Sequence, residues 1–299
     1  MTTGRARTFR KSAVVLVLVF FFTALCLASS KRYEVTGVLL QVDPRQQTIS
    51  VSCLEIPGYM EAMVMLFPVR DTKALESLQP GMTIDFSLVV EGNSSFAENV
   101  HIHPFESLEL DPAQARRFKL MENAMASKST TSDALRTGQS VPDFSLTDQN
   151  RERISLSQFA GKVVALTFIY TRCPRPDYCL RLSNNFGLLQ RRFKNRLGRD
   201  LVLLTVVVDP AHDQPDALAD YARIWKADGR SWHFLTGPLF DIQKLCRNFD
   251  MVFYPDEALF VHSFHTVIID RNGKLAANLE GNEFTAQQLG DLVQTELAQ

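Results

Sequence analysis

The 299-residue sequence predicts two folded units: a small all-β barrel of the OB type, then a three-layer α/β sandwich. Three observations lead there. Residues 33–105 carry five short runs of alternating apolar and polar residues, separated by Pro, Gly, Asp and Asn, the pattern of half-buried strands joined by turns. From Val141 the pattern changes to continuous apolar runs alternating with stretches of helical spacing, as expected of a sheet covered on both faces. Between them lies a polar tract that reads as a linker. The boundaries are 1–30 for an export segment, 31–105 for the barrel, 106–138 for a helix and flexible linker, and 139–299 for the sandwich.

The export segment has Arg5, Arg7, Arg10 and Lys11 ahead of the uncharged run AVVLVLVFFFTALCLASS. This is the layout of a secretory signal, and its length leaves cleavage and retention as a membrane anchor both open. Cys26 raises a lipoprotein reading, although Leu25 stands where a lipid-acceptor site wants a small residue. The barrel strands are YEVTGVLLQVD, TISVSCLEI, MVMLFPV, TIDFSLVVEG and ENVHIHPF. Five strands in so short a span suggest a closed barrel. Asp111 and Pro112 then open DPAQARRFKLMENAMAS as a helix, and KSTTSDALRTGQS continues as the linker.

In the second unit KVVALTFIY is a strand buried on both faces, followed by a helix in LSNNFGLLQRRFKNRL, the strand LVLLTVVVD and the helix QPDALADYARIWKA. The strand WHFLTG, the helix DIQKLCRNF, a hairpin of HTVIID and KLAANLE, and a last helix from Thr285 complete it. Within DIQKLCRNF, Ile242, Leu245 and Phe249 share helical spacing with Cys246, which reads as core. The chain is 45% hydrophobic with a formal net charge of −1, so bulk charge offers no attraction for nucleic acid.

The mature region keeps Cys53, Cys173, Cys179 and Cys246, too few for a disulfide scaffold at this length. Strand, cysteine, then helix is the layout of thioredoxin-like folds, in which the helix amino terminus stabilises a thiolate at the strand end. Cys173 holds that place, and Cys179 follows after five residues that include Pro174 and Pro176. Thioredoxin relatives place a proline immediately before the position of Thr266, whereas this chain has His265 there and His262 just upstream. A disulfide across the loop, redox work and metal binding are all open to the cysteine pair at this point.

Four segments then resemble the Sco/SenC family of copper chaperones: VPDFSLTDQNRERISLSQFAGKVVALTFIYTRCP, the cysteine loop, VVVDPAHDQPDAL and HSFHTVIIDRNGKL. The resemblance covers about half the chain, from Val141 to Leu297, and implies a copper site of Cys173, Cys179 and His262. Two thiolates and an imidazole make a soft site suited to Cu(I), and imidazole is compatible with Cu(II) as well. Many family members have three residues between the cysteines, so the longer loop departs from the pattern. Alternation along one strand would send His265 to the face opposite His262. Asp209 and Asp213 could orient the ligands, with capping of the following helix the favoured role.

In the barrel, the segment CLEIPGYMEAMVMLFPV places Met63 and Met65 on one side of a strand and Val64 and Leu66 on the other. Methionine is ordinary core filler, but thioethers also bind Cu(I). The segment resembles the CusF-like family of periplasmic copper-binding barrels, with Cys53 where that family has a histidine, and Met60 and Tyr59 near its aromatic. The implied site is Cys53, Met63 and Met65, with His101 and His103 as surface residues or extra ligands.

Together the resemblances imply an exported, periplasmic copper metallochaperone that delivers to a client copper protein, the binuclear copper centre of a cytochrome c oxidase subunit being the implied one. A thiol-disulfide oxidoreductase served by a thiol-disulfide reductant, and a copper buffer or sensor, are the alternatives.

Overall fold

The structure, a computed structural model, describes residues 30–103, 134–256 and 259–299. The export segment through residue 29 and the helix expected from Asp111 lie outside those residues. Among the described residues no helix is long and apolar enough to cross a membrane.

The first unit holds β1 (Lys31–Asp43), β2 (Thr48–Cys53), β3 (Met63–Pro68), β4 (Thr83–Glu91) and β5 (Ser94–Ile102). They pair antiparallel in the order β3-β2-β1-β4-β5. The five strands are therefore as the sequence predicts, but the expected closed barrel is an open sheet. Its edges meet at one bridge, Val69 with Ala97, beside Arg70 N–H donating to the Ala97 carbonyl at 3.2 Å. β3 spans six residues and ends at Pro68, so the link to β5 is left to Val69 and Arg70 beyond it. Alternation still fills an inner face with Leu39, Ile49, Val51, Phe67, Ile84, Phe86 and Leu88, and Phe67 meets Phe86 edge-on at 5.1 Å.

The second unit begins with the hairpin β6 (Ser145–Asp148) and β7 (Arg153–Ser155), which the sequence patterns did not single out. It continues with β8 (Val163–Ile169), β9 (Leu201–Val207), β10 (Trp232–Thr236), β11 (Phe253–Asp256), β12 (Leu259–His262), β13 (His265–Ile269) and β14 (Leu275–Glu280). The main sheet runs β14-β13-β8-β9-β10-β6-β7, and β11 pairs with β12 apart from it. Parallel β8 and β9 are buried along their whole lengths, which is why they read as unbroken apolar runs.

The helices are α1 (Arg181–Arg192), α2 (Pro215–Ile224), α3 (Leu239–Arg247) and α4 (Ala286–Leu297). Phe186 of α1 and Tyr221 of α2 meet Trp232 and Phe234 of β10 on one face, and Ser183 and Tyr221 hydrogen-bond at 2.9 Å. Phe249, just past α3, packs on Phe168 from the opposite face. The sandwich thus has the expected layers, and Cys246 lies in its core.

The two units share that core. In β1, Leu39 points into the small sheet, whereas Val38 and Leu40 join the core of the second unit. Part of the expected linker is fixed as well: Leu135 N–H donates to the Asn248 carbonyl at 2.8 Å, Gly138 N–H to that of Leu275 at 2.7 Å, and Thr137 Oγ1 to Gln79 Oε1 at 2.9 Å. The closest approach is at Gly81, which has φ +93° and where a Cβ would lie 2.8 Å from both the amide nitrogen and the carbonyl oxygen of Asn278 in β14. Gly81→Ala would meet backbone on an edge strand and adopt a left-handed conformation. Its expected cost is about 1–3 kcal/mol, checked as a lowered urea midpoint for unfolding.

Candidate metal centre

Strand β8 carries the chain to the sheet end, where Tyr170, Thr171 and Arg172 lead into Cys173. A short turn over Pro176–Leu180 follows and α1 begins at Arg181. The turn is not helical throughout: Tyr178 breaks it at φ −106° and ψ −109°. Cys173 is half-buried, Cys179 is buried, and both are free thiols.

His262 ends β12 and His265 starts β13, with Ser263 and Phe264 between the strands. Their opposite directions therefore arise from a strand break rather than from alternation within one strand. His262 Nδ1 donates to the Ser263 carbonyl at 2.8 Å, which leaves the Nε2 lone pair facing Cys179 Sγ at 3.7 Å. His265 is buried elsewhere, its Nδ1 donating at 3.0 Å to Asn278 Oδ1. The Asn278 amide is oriented because its Nδ2 donates to the Phe249 carbonyl at 3.0 Å.

Electrostatics separates the three candidate ligands. A hydrogen bond from the Cys179 thiol holds the Cys173 pKa down at about 6; burial opposes the shift, while backbone N–H groups and the Tyr170 hydroxyl assist it. Burial pushes the Cys179 thiol well above its ordinary value. Burial also depresses His262 to about 4, with its bond to Ser263 in opposition. Near neutral pH the cluster thus holds a thiolate, a thiol and a neutral imidazole. The one Cys179 proton faces two acceptors, the Cys173 sulfur and His262 Nε2.

A soft monovalent cation could take the place of that proton. Bonds of roughly 2.0 Å to nitrogen and 2.3 Å to sulfur, the lengths found at zinc, meeting at about 120° put the two donors ~3.7 Å apart, the separation found between Cys179 and His262, 3.7 Å. Among the described residues no three His, Cys, Asp or Glu side chains stand in a closed metal-holding array; Cys173 joins the pair through its hydrogen bond with Cys179.

Residues that sequence reasoning missed surround this cluster. Tyr170 and Phe264 meet His262 edge-on at 5.9 and 4.8 Å, and Tyr178 meets Phe264 at 4.9 Å. Asp213 accepts from Thr171 N–H at 3.1 Å and from its hydroxyl. Asp209 accepts from Arg172 Nη2 at 2.7 Å and contacts His212 Nδ1 at 3.0 Å. The favoured capping role for the two aspartates gives way to one of holding the residues before Cys173, since Gln214 occupies the α2 cap. Tyr170 and Arg172 flank Thr171 directly ahead of the cysteine, and that adjacency was the available signal.

In the small sheet, register pairs Cys53 with Met63 and Val51 with Met65, so the candidate sulfurs share its inner face. They differ in access: Cys53 is 1% exposed and Met63 45%, and burial pushes the Cys53 thiol up to about 12. Met60 and Met65 pack against the sheet core, and Tyr59 stacks on Tyr33 at 4.2 Å. His101 and His103 instead face Asp85, at 3.7 and 2.6 Å.

Residues 132–297 match the sequence model described as SCO1/SenC, and residues 32–104 match that described as copper binding periplasmic protein CusF. The chain is 28% identical to protein sco1 of Schizosaccharomyces pombe over 158 residues, 49% of this chain and 56% of that one. It is 29% identical to a SCO2-like protein of Rickettsia prowazekii over 140 residues, 44% of this chain and 64% of that one. It therefore spans less than two thirds of the length of these relatives. A SCO1/SenC family lipoprotein from Bacillus anthracis aligns at 25% identity and a TM-score of 0.49, over 56% of this chain and 99% of that one.

The unequal cysteines can be read directly. At pH 7 a thiol of pKa about 6 is about nine-tenths thiolate, so Cys173 should be alkylated by iodoacetamide well before Cys179. Its rate should fall to half near pH 6, and Cys173→Ser should remove the fast phase, as followed by peptide mass spectrometry.

Proposed function

This chain belongs to the SCO1/SenC family, and from that premise we propose that it is an exported, periplasmic copper metallochaperone. Cys173, Cys179 and His262 would hold one copper ion as cargo, and Cys53, Met63 and Met65 a second. The observation that carries the reading is the convergence of Cys179 and the His262 Nε2 lone pair beside a Cys173 thiolate. That set combines soft thiolate with imidazole, and a low coordination number leaves room for exchange with an acceptor. The small sheet would act as a capture site: its accessible Met63 meets the ion first, and the buried Cys53, protonated when empty, releases its proton on binding. A solved Arabidopsis thaliana relative is described as copper-bound and a BsSco protein as a member of a family of cytochrome c oxidase assembly proteins. The client proposed here is accordingly the binuclear copper centre of that oxidase.

A second reading has its own support in the depressed Cys173 pKa and its contact with Cys179. The Cys173 thiolate would attack a client disulfide and release one client thiolate. Cys179 would then attack the mixed disulfide, freeing the second client thiol and leaving Cys173 and Cys179 oxidised. Two electrons pass to the client, and an external thiol reductant restores the pair.

One experiment separates them. The full reduced chain, titrated anaerobically with Cu(I) against a chelator, should bind two ions. Cys173→Ser and His262→Ala should each lose one, their affinity falling by more than the roughly 10–100-fold that loss of an outer partner costs. Binding indifferent to His262, with disulfide turnover intact, would favour the redox reading.

A further inference from the structure

The two candidate clusters are joined by one short segment. At its near end Asn282, which is buried, donates from Nδ2 to the Asp177 carbonyl at 2.5 Å, within the loop between the cysteines. Arg181 donates to the Glu283 carbonyl at 2.5 Å, and Asn185 to that of Phe284 at 3.2 Å. At its far end Gln287 donates to the Ala62 carbonyl at 3.2 Å, next to Met63, and buried Gln288 to the Ser52 carbonyl at 3.0 Å, next to Cys53. Ser52 Oγ donates to Asp291 at 2.8 Å, and Arg192 fixes that carboxylate at 2.6 Å.

Gln288 works at both ends of its own amide. Its oxygen accepts from Thr285 N–H at 2.9 Å and caps α4, while its NH2 reaches the small sheet. Neither Asn282 nor the glutamines suit a soft metal, because an amide offers a hard oxygen donor, and each gives its NH2 to backbone. They hold the peptide groups beside the sulfurs. Ser52 and Ala62 directly precede Cys53 and Met63, and Asp177 lies between Cys173 and Cys179, so any rearrangement of either donor set around an ion bears on these three carbonyls. Asn282 and Gln288 are buried, and a buried amide that loses its carbonyl pays the whole desolvation penalty; exposed Gln287 adds a hydrogen bond at Ala62, and close packing transmits shifts of the buried groups.

We infer that Asn282, Gln287 and Gln288 are positioning residues that couple the two clusters, so that filling one changes the copper affinity of the other. The inference rests on the reading of both clusters as copper sites.

The test is a thermodynamic cycle on the full reduced chain with Cu(I) alone as probe. Each site's affinity is measured with the other disabled, by Cys173→Ser or by Met63→Ala with Met65→Ala, and compared with the two-ion affinity of the native chain. A departure from the product of the single affinities by a factor of at least about five is expected, the lower range of such couplings. Gln287→Ala with Gln288→Ala, and separately Asn282→Ala, should return that factor to one while two ions still bind. The Asn282 variant leaves the α4 cap intact and guards against a result due to misfolding alone. A factor of one in the native chain, or a factor unchanged in both variants, overturns the coupling. Fewer than two ions bound by the native chain overturns the copper reading beneath it, and the ion count tells the two failures apart.

Discussion

Cys179 Sγ and His262 Nε2 face each other at 3.7 Å between aromatic rings, and burial lets neither carry a lone charge there. The thiol stays protonated and the imidazole neutral. Charge is moved to the one member that solvent still reaches, Cys173. Most local features serve that division. The break between β12 and β13 turns His262 inward. The Ser263 carbonyl takes the Nδ1 proton and so fixes the tautomer. Asp209 and Asp213 hold Arg172 and Thr171, and through them the approach of the cysteine.

The same economy appears where the units meet. β1 is buried on both faces between Gly37 and Leu40, with Leu39 committed to one core and Val38 and Leu40 to the other. A sheet left open at one side still has its rim covered, because α4 donates side-chain amides to the carbonyls of Ser52 and Ala62. The two soft-donor clusters are consequently held at opposite ends of one short segment. Contacts of Val38, Leu40, Gly81 and Thr137 join the units.

The small sheet shows how access and donor strength are divided. Met63, a weak but exposed thioether, and Cys53, a strong donor only once deprotonated, sit opposite each other in register. Pairing them gives the first contact to the residue that needs no proton loss and the tighter one to the residue that does.

Much of this was legible in the chain itself. Unbroken apolar runs mark β8 and β9 as doubly covered strands, alternation assigns Met63 and Met65 to one face, and Cys173, Cys179 and His262 stand out by residue type and by resemblance. Local periodicity determines which residues can be strands and which face each side chain takes, because both follow from backbone geometry that repeats every two or 3.6 residues. A signal for the shared core was present too, in the continuous apolar run GVLL within an otherwise alternating strand. Only the tertiary structure decided that the sheet stays open, that Asp209 and Asp213 steady the cysteine approach instead of capping α2, that His265 turns to Asn278, and that α4 bridges the clusters. Each of those depends on partners distant in sequence, whose meeting is set by how whole layers pack, and no local pattern carries that information.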